Sequence, residues 1–163
     1  VSGKYELVDG KYFRRKVRAI IVNGRGEFLL IRPLYFKEGA WTFVGGGVED
    51  NESTEQAVLR EVAEEVGIHR ILSLKKSTSR HQFSFSESNR KKRGVEYEGQ
   101  VADLFWVEVS SDIPVVLQAE EIQAYRWASL VELSQLVTVP AQLRMFESVL
   151  FEFSVNHRQE NVA

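Results

Sequence analysis

Apolar positions in the first half of the chain fall in short blocks, each closed by a turn signal. Residues 14–22, RRKVRAIIV, pass from cationic to apolar and read as a strand. Asn23 to Gly26, NGRG, is a turn signal, and EFLLIRPL after it reads as a second strand, so the two form a hairpin. Trp41-Thr42-Phe43-Val44 alternates large apolar side chains and runs straight into Gly45-Gly46-Gly47. The period then changes. A helix is predicted from about Thr54 to Val66, with Val58, Leu59, Val62 and Val66 as its apolar stripe. Ser53 with Gln56 three residues on is a capping-box pattern, and Gly67 stands where a left-handed residue ends a helix.

The second half is less regular. Residues 68–76 and 80–86 read as extended, and SESNRKKRG, 86–94, reads as a loop by its polarity. VADLFWVEV, 101–109, is a buried strand and 122–127 a shorter one. SLVELSQL, 129–136, has helical periodicity, and Pro140 opens a last helix to about Val155, after which HRQENVA is expected to fray. Strands and helices in this mixed order predict an α/β fold, a mixed sheet with helices packed on its faces.

Composition narrows the classes. A chain of 163 residues, 44% hydrophobic and 27% charged, suits one globular domain spanning 1–163. A formal charge of −2 gives no general attraction to nucleic acid or membrane. The absence of cysteine excludes disulfides, thiolate zinc sites and cysteine nucleophiles. No apolar run approaches the roughly 20 residues that span a bilayer, and the first residues lack the apolar core of a signal peptide. A cytoplasmic protein without membrane or DNA partners is expected.

The chemistry lies in residues 46–68, GGVEDNESTEQAVLREVAEEVGI. Glu61, Glu64 and Glu65 fall within roughly 100° of helical arc, at the rim of the apolar stripe. Like charges so spaced cost a helix about 0.2–0.5 kcal/mol per pair, and a cation among them reverses the sign. Carboxylate oxygens suit hard cations such as Mg2+ or Mn2+. The glycine turn lets backbone approach the same place, its carbonyls as ligands and its amides as phosphate contacts. The bland alternative is a solvated Glu-rich helix face.

The segment matches G-x5-E-x7-R-E-U-x-E-E-x-G-U, with U aliphatic, at Gly46, Glu52, Arg60, Glu61, Val62, Glu64, Glu65, Gly67 and Ile68. Seven fixed residues at about 5–10% usage each make a chance match rarer than roughly one in a million chains. The segment resembles the Nudix box, and the surrounding order of elements is similar to the Nudix α/β/α sandwich. The resemblance implies a hydrolase that uses Mg2+ or Mn2+ to cut the diphosphate of a nucleotide. It implies Glu61, Glu64 and Glu65 as metal ligands, one of them also the base, with Glu61, Glu64 and Arg60 in the catalytic set. The Gly46 carbonyl is a further candidate ligand, Glu52 pairs with Arg60 to brace the loop, and Gly67 stops the helix. Arg60 is expected to lie away from the carboxylate face. Val44 and Asn51 depart from the proline and glycine that relatives often carry there.

Residues 121–127, EIQAYRW, resemble an E-x-x-x-[WY]-[RK]-W element of the RNA and nucleoside-triphosphate pyrophosphohydrolases. That implies Glu121 as an added metal ligand or base, with Glu120 as competitor, and leaves Tyr125 and Trp127 in the core. YEGQVADLFWVEV, 97–109, weakly resembles the RNA and dinucleoside polyphosphate branch. Arg32, Phe85 and the basic run 90–93 are candidate substrate contacts, against core packing for Phe83 and Phe85 and a solvated loop for the basic run. The expected substrate is a nucleoside triphosphate or dinucleoside polyphosphate. RNA 5′-end hydrolysis, an ADP-ribose-type hydrolase and a non-catalytic nucleotide sensor are the alternatives. A homodimer is open. The prolines, only Pro33, Pro114 and Pro140, leave out the one ADP-ribose hydrolases usually carry past the box.

Overall fold

The computed structural model describes residues 3–36 and 40–160, with side chains to Ser154. Among the described residues the elements run β1 (Tyr5–Val8), β2 (Lys11–Val22), β3 (Phe28–Pro33), β4 (Val44–Gly47), α1 (Thr54–Val66), β5 (Ser73–Ser84), α2 (Glu87–Arg93), β6 (Gly99–Glu108), β7 (Ile122–Ala128), α3 (Leu130–Leu136) and α4 (Pro140–Glu160). The strands form one mixed sheet, ordered β5-β6-β2-β3-β7, with β1 and β4 also paired to β2.

β2 is the spine. It runs parallel to β6 from Phe13↔Gly99 to Val22↔Glu108. Its antiparallel register with β3 holds at Val22↔Phe28, after which the two strands diverge. β4 lies along β2 in the gap, from Lys16↔Gly47 to Ala19↔Val44, and Thr42 just before it bridges to Ile31 of β3.

The pleat sorts β2 into two cores. Val17, Ala19 and Ile21 pack with Ala57, Val58, Val62 and Val66 of α1 and with Phe105. Ile20 and Val22 face the other way, onto Met145, Phe146, Val149 and Phe153 of α4. A strand buried on both faces explains the unbroken run Ala19 to Val22. Phe146 stacks on Phe43 at 5.5 Å and meets Phe28 edge-on at 5.0 Å, arrangements worth about 0.5–1.5 kcal/mol per pair beyond burial. The result is the expected α/β/α sandwich.

α1 has the bounds its sequence predicts, because both ends are capped. Ser53 and Gln56 exchange the two capping-box hydrogen bonds, and Gly67 takes φ 66°. A Cβ on Gly67 would also lie 2.9 Å from Cβ of Val116. Val116 belongs to the strap between β6 and β7. Val116 N–H donates to the Val66 carbonyl at 2.9 Å and Gln118 N–H to the Glu65 carbonyl at 3.1 Å, so the strap caps the end of α1.

Several elements differ from expectation. Leu59 is exposed, and Ala57 takes its place in the buried stripe. The loop expected at 86–94 contains α2, because Ser86 caps its start and Gly94, at φ 65°, its end. The strand expected at 41–44 instead occupies Val44–Gly47 as β4, since the small size of Gly45, Gly46 and Gly47 admits close backbone pairing with β2. The two extended stretches join as β5, with a register shift between Lys76 and Arg80. β1 was not foreseen, and α4 continues through the expected frayed tail to Glu160, with 161–163 outside the described residues. No helix among the described residues is long and apolar enough to cross a membrane.

Candidate active site

The divergence of β2 and β3 opens a cleft of about 250 Å³. Gly45, Gly46 and Gly47 form one wall, Glu61 and Glu65 reach it from α1, Lys16 and Arg18 from β2, and Glu121 from the end of the strap just before β7. Ile31, Pro33 and Ile122 give it an apolar side.

Glu65 is only 8% exposed, and the Gly45 amide donates to its Oε2 at 3.2 Å. Burial first, and then the charge of Glu61, push its carboxyl up to about 7, against the pull of the Gly45 amide and Arg18; Glu121 adds to the rise. Burial likewise raises Glu61, against its hydrogen bond from Arg60. Two crowded carboxylates one helical turn apart are stabilised by a proton or a cation between them. Gly46 gives Glu61 its room. A Cβ there would stand 2.2 Å from Glu61 Oε1.

Arg60 is a hub rather than a residue turned away from the carboxylates. Its Nε and Nη2 donate to the two oxygens of Glu52 at 2.7 and 2.9 Å, and Nη2 also donates to the Gly47 carbonyl at 2.8 Å. Its Nη1 reaches Glu61 at 3.0 Å and Glu64 at 3.3 Å. Glu52 in turn accepts from the Glu49 amide at 3.1 Å. The expected Glu52–Arg60 brace is therefore present, and it extends to two box glutamates.

Other candidates lie elsewhere. Glu64 is half exposed and turned toward Arg60, outside the cleft lining. Among the described residues, no three acidic or histidine side chains already converge as a cage for a metal ion. Arg32 lies with its guanidinium 4.4 Å above the Trp41 ring, on the side of the sheet opposite to the cleft-facing Ile31 and Pro33. Its Nε is buried without a hydrogen-bond partner. Phe85 is also outside the cleft lining, under the guanidinium of Arg93 at 4.7 Å. Of the neighbours Glu120 and Glu121, only Glu121 lines the cleft. Tyr125 is exposed rather than core, whereas Trp127 packs against the α1-side core.

Lys16 and Arg18 were missed by the sequence reading. Burial lowers the pKa of both, the neighbouring arginines add to the effect at Lys16, and the carboxylates oppose it. Arg18 donates to the Phe43 carbonyl at 3.2 Å. Their signal was the alternation Arg14, Lys16, Arg18, which places three cations on one strand face beside the glycine turn.

A mixed sheet between helices, with a glycine turn and a glutamate helix at its divergence, defines the Nudix class. The NUDIX domain profile matches residues 12–149, and the chain belongs to that family as a Nudix hydrolase. It is similar to the RNA pyrophosphohydrolase of Sphingopyxis alaskensis, 28% identical over 147 residues that cover 86% of this chain and 92% of that one. The RNA pyrophosphohydrolase of Novosphingobium aromaticivorans is 29% identical, covering 88% and 94%. In structure it resembles the E. coli dihydroneopterin triphosphate pyrophosphohydrolase, with TM-score 0.69, 21% identity and coverage of 85% and 95%.

Proposed function

We propose that this chain is a divalent-metal-dependent pyrophosphohydrolase that cleaves a phosphoanhydride bond of a nucleoside diphosphate linked to another group, with a nucleoside triphosphate or dinucleoside polyphosphate as substrate. The observation that carries this reading is the cleft itself. The buried Glu65 and the half-buried Glu61 share it with two half-buried cations, Lys16 and Arg18, beside a glycine wall.

The donor set fits a hard cation. It is all oxygen, it is crowded enough to raise both carboxyl groups, and Gly46 keeps the approach to Glu61 clear. Glu61, Glu65, Glu121 and the Gly46 carbonyl would hold Mg2+ or Mn2+, with Glu64 joining on release from Arg60. Such an ion supplies charge neutralisation of the diphosphate and activation of a water. The chain's own groups do the rest. Lys16 and Arg18 meet the phosphate charge from the strand side. Glu65, fixed by the hydrogen bond from the Gly45 amide, would present its carboxylate to the ion. Arg60 orients Glu61 and braces the loop through Glu52 and Gly47.

Replacement of Glu61 or Glu65 by glutamine tests the assignment. Turnover of a nucleotide panel in magnesium should fall by about a hundredfold or more in each variant, with folding intact. Full rate in both would sink the reading. RNA 5′-end hydrolysis is a second reading, which uses the same cleft and the same chemistry. It is favoured by the two RNA pyrophosphohydrolases similar to this chain over most of both lengths.

A further inference from the structure

The sheet face that carries Lys16 and Arg18 continues past the cleft. Register places Lys16, Ala102 and His81 in one row across β2, β6 and β5, and Arg14, Gln100 and Phe83 in the next. Tyr5 of β1 pairs with Arg14, so it stands on the same face. Beyond Phe83, Phe85 and Tyr97 close an arc of rings across this face. The contacts run His81–Phe83 at 5.6 Å, Phe83–Phe85 at 5.6 Å, Phe85–Tyr97 at 5.9 Å and Tyr97–Tyr5 at 5.6 Å. The arc thus starts at His81, two strands across from Lys16 in the same row.

These rings are not a closed satellite core. Tyr5 and Phe83 are 43% and 41% exposed, His81, Phe85 and Tyr97 are half-buried, and Tyr12 beside the arc is 59% exposed. Tyr5, Tyr12 and Tyr97 line a hollow of about 550 Å³ together with Gly94, Val95 and Glu96, a volume in the range of small-molecule sites. α2 borders that hollow through Gly94 and carries Arg90, Lys91, Lys92 and Arg93 in its last turn. Arg90 is spent on Glu98 at 3.1 Å, and Arg93 lies over Phe85. The side-chain ammonium groups of Lys91 and Lys92 have no hydrogen bond or ion pair among the described residues.

We infer that this aromatic arc and the free lysines of α2 form a platform for single-stranded RNA, holding nucleotides downstream of a 5′ end seated in the cleft. Exposed rings in succession stack bases without reading sequence, and cations beside them track the backbone. The arc joins five rings, more than one nucleoside covers, and its first ring shares a row with Lys16 of the cleft. The inference rests on the pyrophosphohydrolase reading and deepens its second form, RNA 5′-end hydrolysis.

The test uses a fluorescent RNA of about ten nucleotides with a 5′-hydroxyl end, which the cleft cannot hydrolyse, and reads binding by anisotropy. The intact protein should bind it, more weakly as salt rises. Lys91→Ala with Lys92→Ala should reduce the slope of log affinity against log salt by about 1.4, the effect of two lost phosphate contacts on a single strand. Tyr97→Leu should weaken binding about tenfold, while Tyr97→Phe, which keeps the ring, should bind as the wild type does. Phe83→Leu, at an exposed position, serves as the second ring variant should Tyr97→Leu fail to fold. No binding by the wild type overturns the inference. So does loss with the lysine pair but not with the ring variants, which would mark a bare charge patch. A protein that hydrolyses free nucleotide yet ignores the probe loses only the platform; one that binds the probe but turns over no nucleotide loses only the proposed reaction.

Discussion

Gly46 shows how finely the cleft depends on single atoms. The atom that a Cβ would strike, at 2.2 Å, is the free end of the Glu61 side chain, which can swing aside. At Gly45 the corresponding clash, at 2.3 Å, is with the Val17 carbonyl, which cannot. Gly46→Ala is therefore expected to fold with little loss of thermal stability but to displace Glu61, lowering turnover by about a hundredfold. Unchanged turnover in that variant would remove Glu61 from the reaction. Glu61 and Glu65 were legible because helical spacing alone puts them on one side. Arg32 misled for the complementary reason. Proximity to the glycine turn suggested a phosphate contact, but strand alternation sends its side chain to Trp41 while Ile31 and Pro33 face the cleft. Lys16 and Arg18 reach the cleft because β4 pairs with β2 beside them, from Lys16↔Gly47 to Arg18↔Gly45.

At the scale of elements, legibility followed capping. α1 was readable to the residue because Ser53, Gln56 and Gly67 mark both ends. α2 was hidden by its polarity, although Ser86 and Gly94 carried the same kind of signal. β1 was hidden by its length of four residues, although Asp9 and Gly10, both at positive φ, mark the turn after it. β1 is held from outside its own hairpin. Arg80 of β5 donates to both oxygens of Glu6 and, at 2.8 Å, to Asp103 of β6. The hydrogen bond from Arg80 holds the Glu6 carboxyl below its usual pKa, even against burial. A carboxyl with a lowered folded pKa stabilises above its unfolded value and loses that contribution as pH falls through the folded one. Arg80 is 40% exposed, so solvent screens the pair to about 0.5–1 kcal/mol. Glu6→Gln should lower stability by that amount at pH 7, and the difference from wild type should vanish in denaturation curves taken well below pH 4. A difference that persists undiminished in acid would place the effect in packing instead.

At the scale of the molecule, the sandwich matters because it brings remote segments to one cleft. Glu61 and Glu65 come from a helix on one face, Lys16 and Arg18 from the central strand, and Glu121 from a strap docked on the end of that helix. The α/β/α layering was legible from the order of patterns. The convergence of Glu121 was legible only through a resemblance, since nothing in local periodicity says that residues 116–118 cap α1. The central claim is that this convergence makes a pyrophosphohydrolase. Its most direct test is a panel of nucleoside triphosphates, dinucleoside polyphosphates and 5′-triphosphorylated RNA, incubated with magnesium in oxygen-18 water. The account predicts release of pyrophosphate with a monophosphate end, or asymmetric splitting of a dinucleoside tetraphosphate, with one oxygen-18 in a phosphate product per turnover. An absence of turnover across the whole panel, or label found outside the phosphate products, would contradict it.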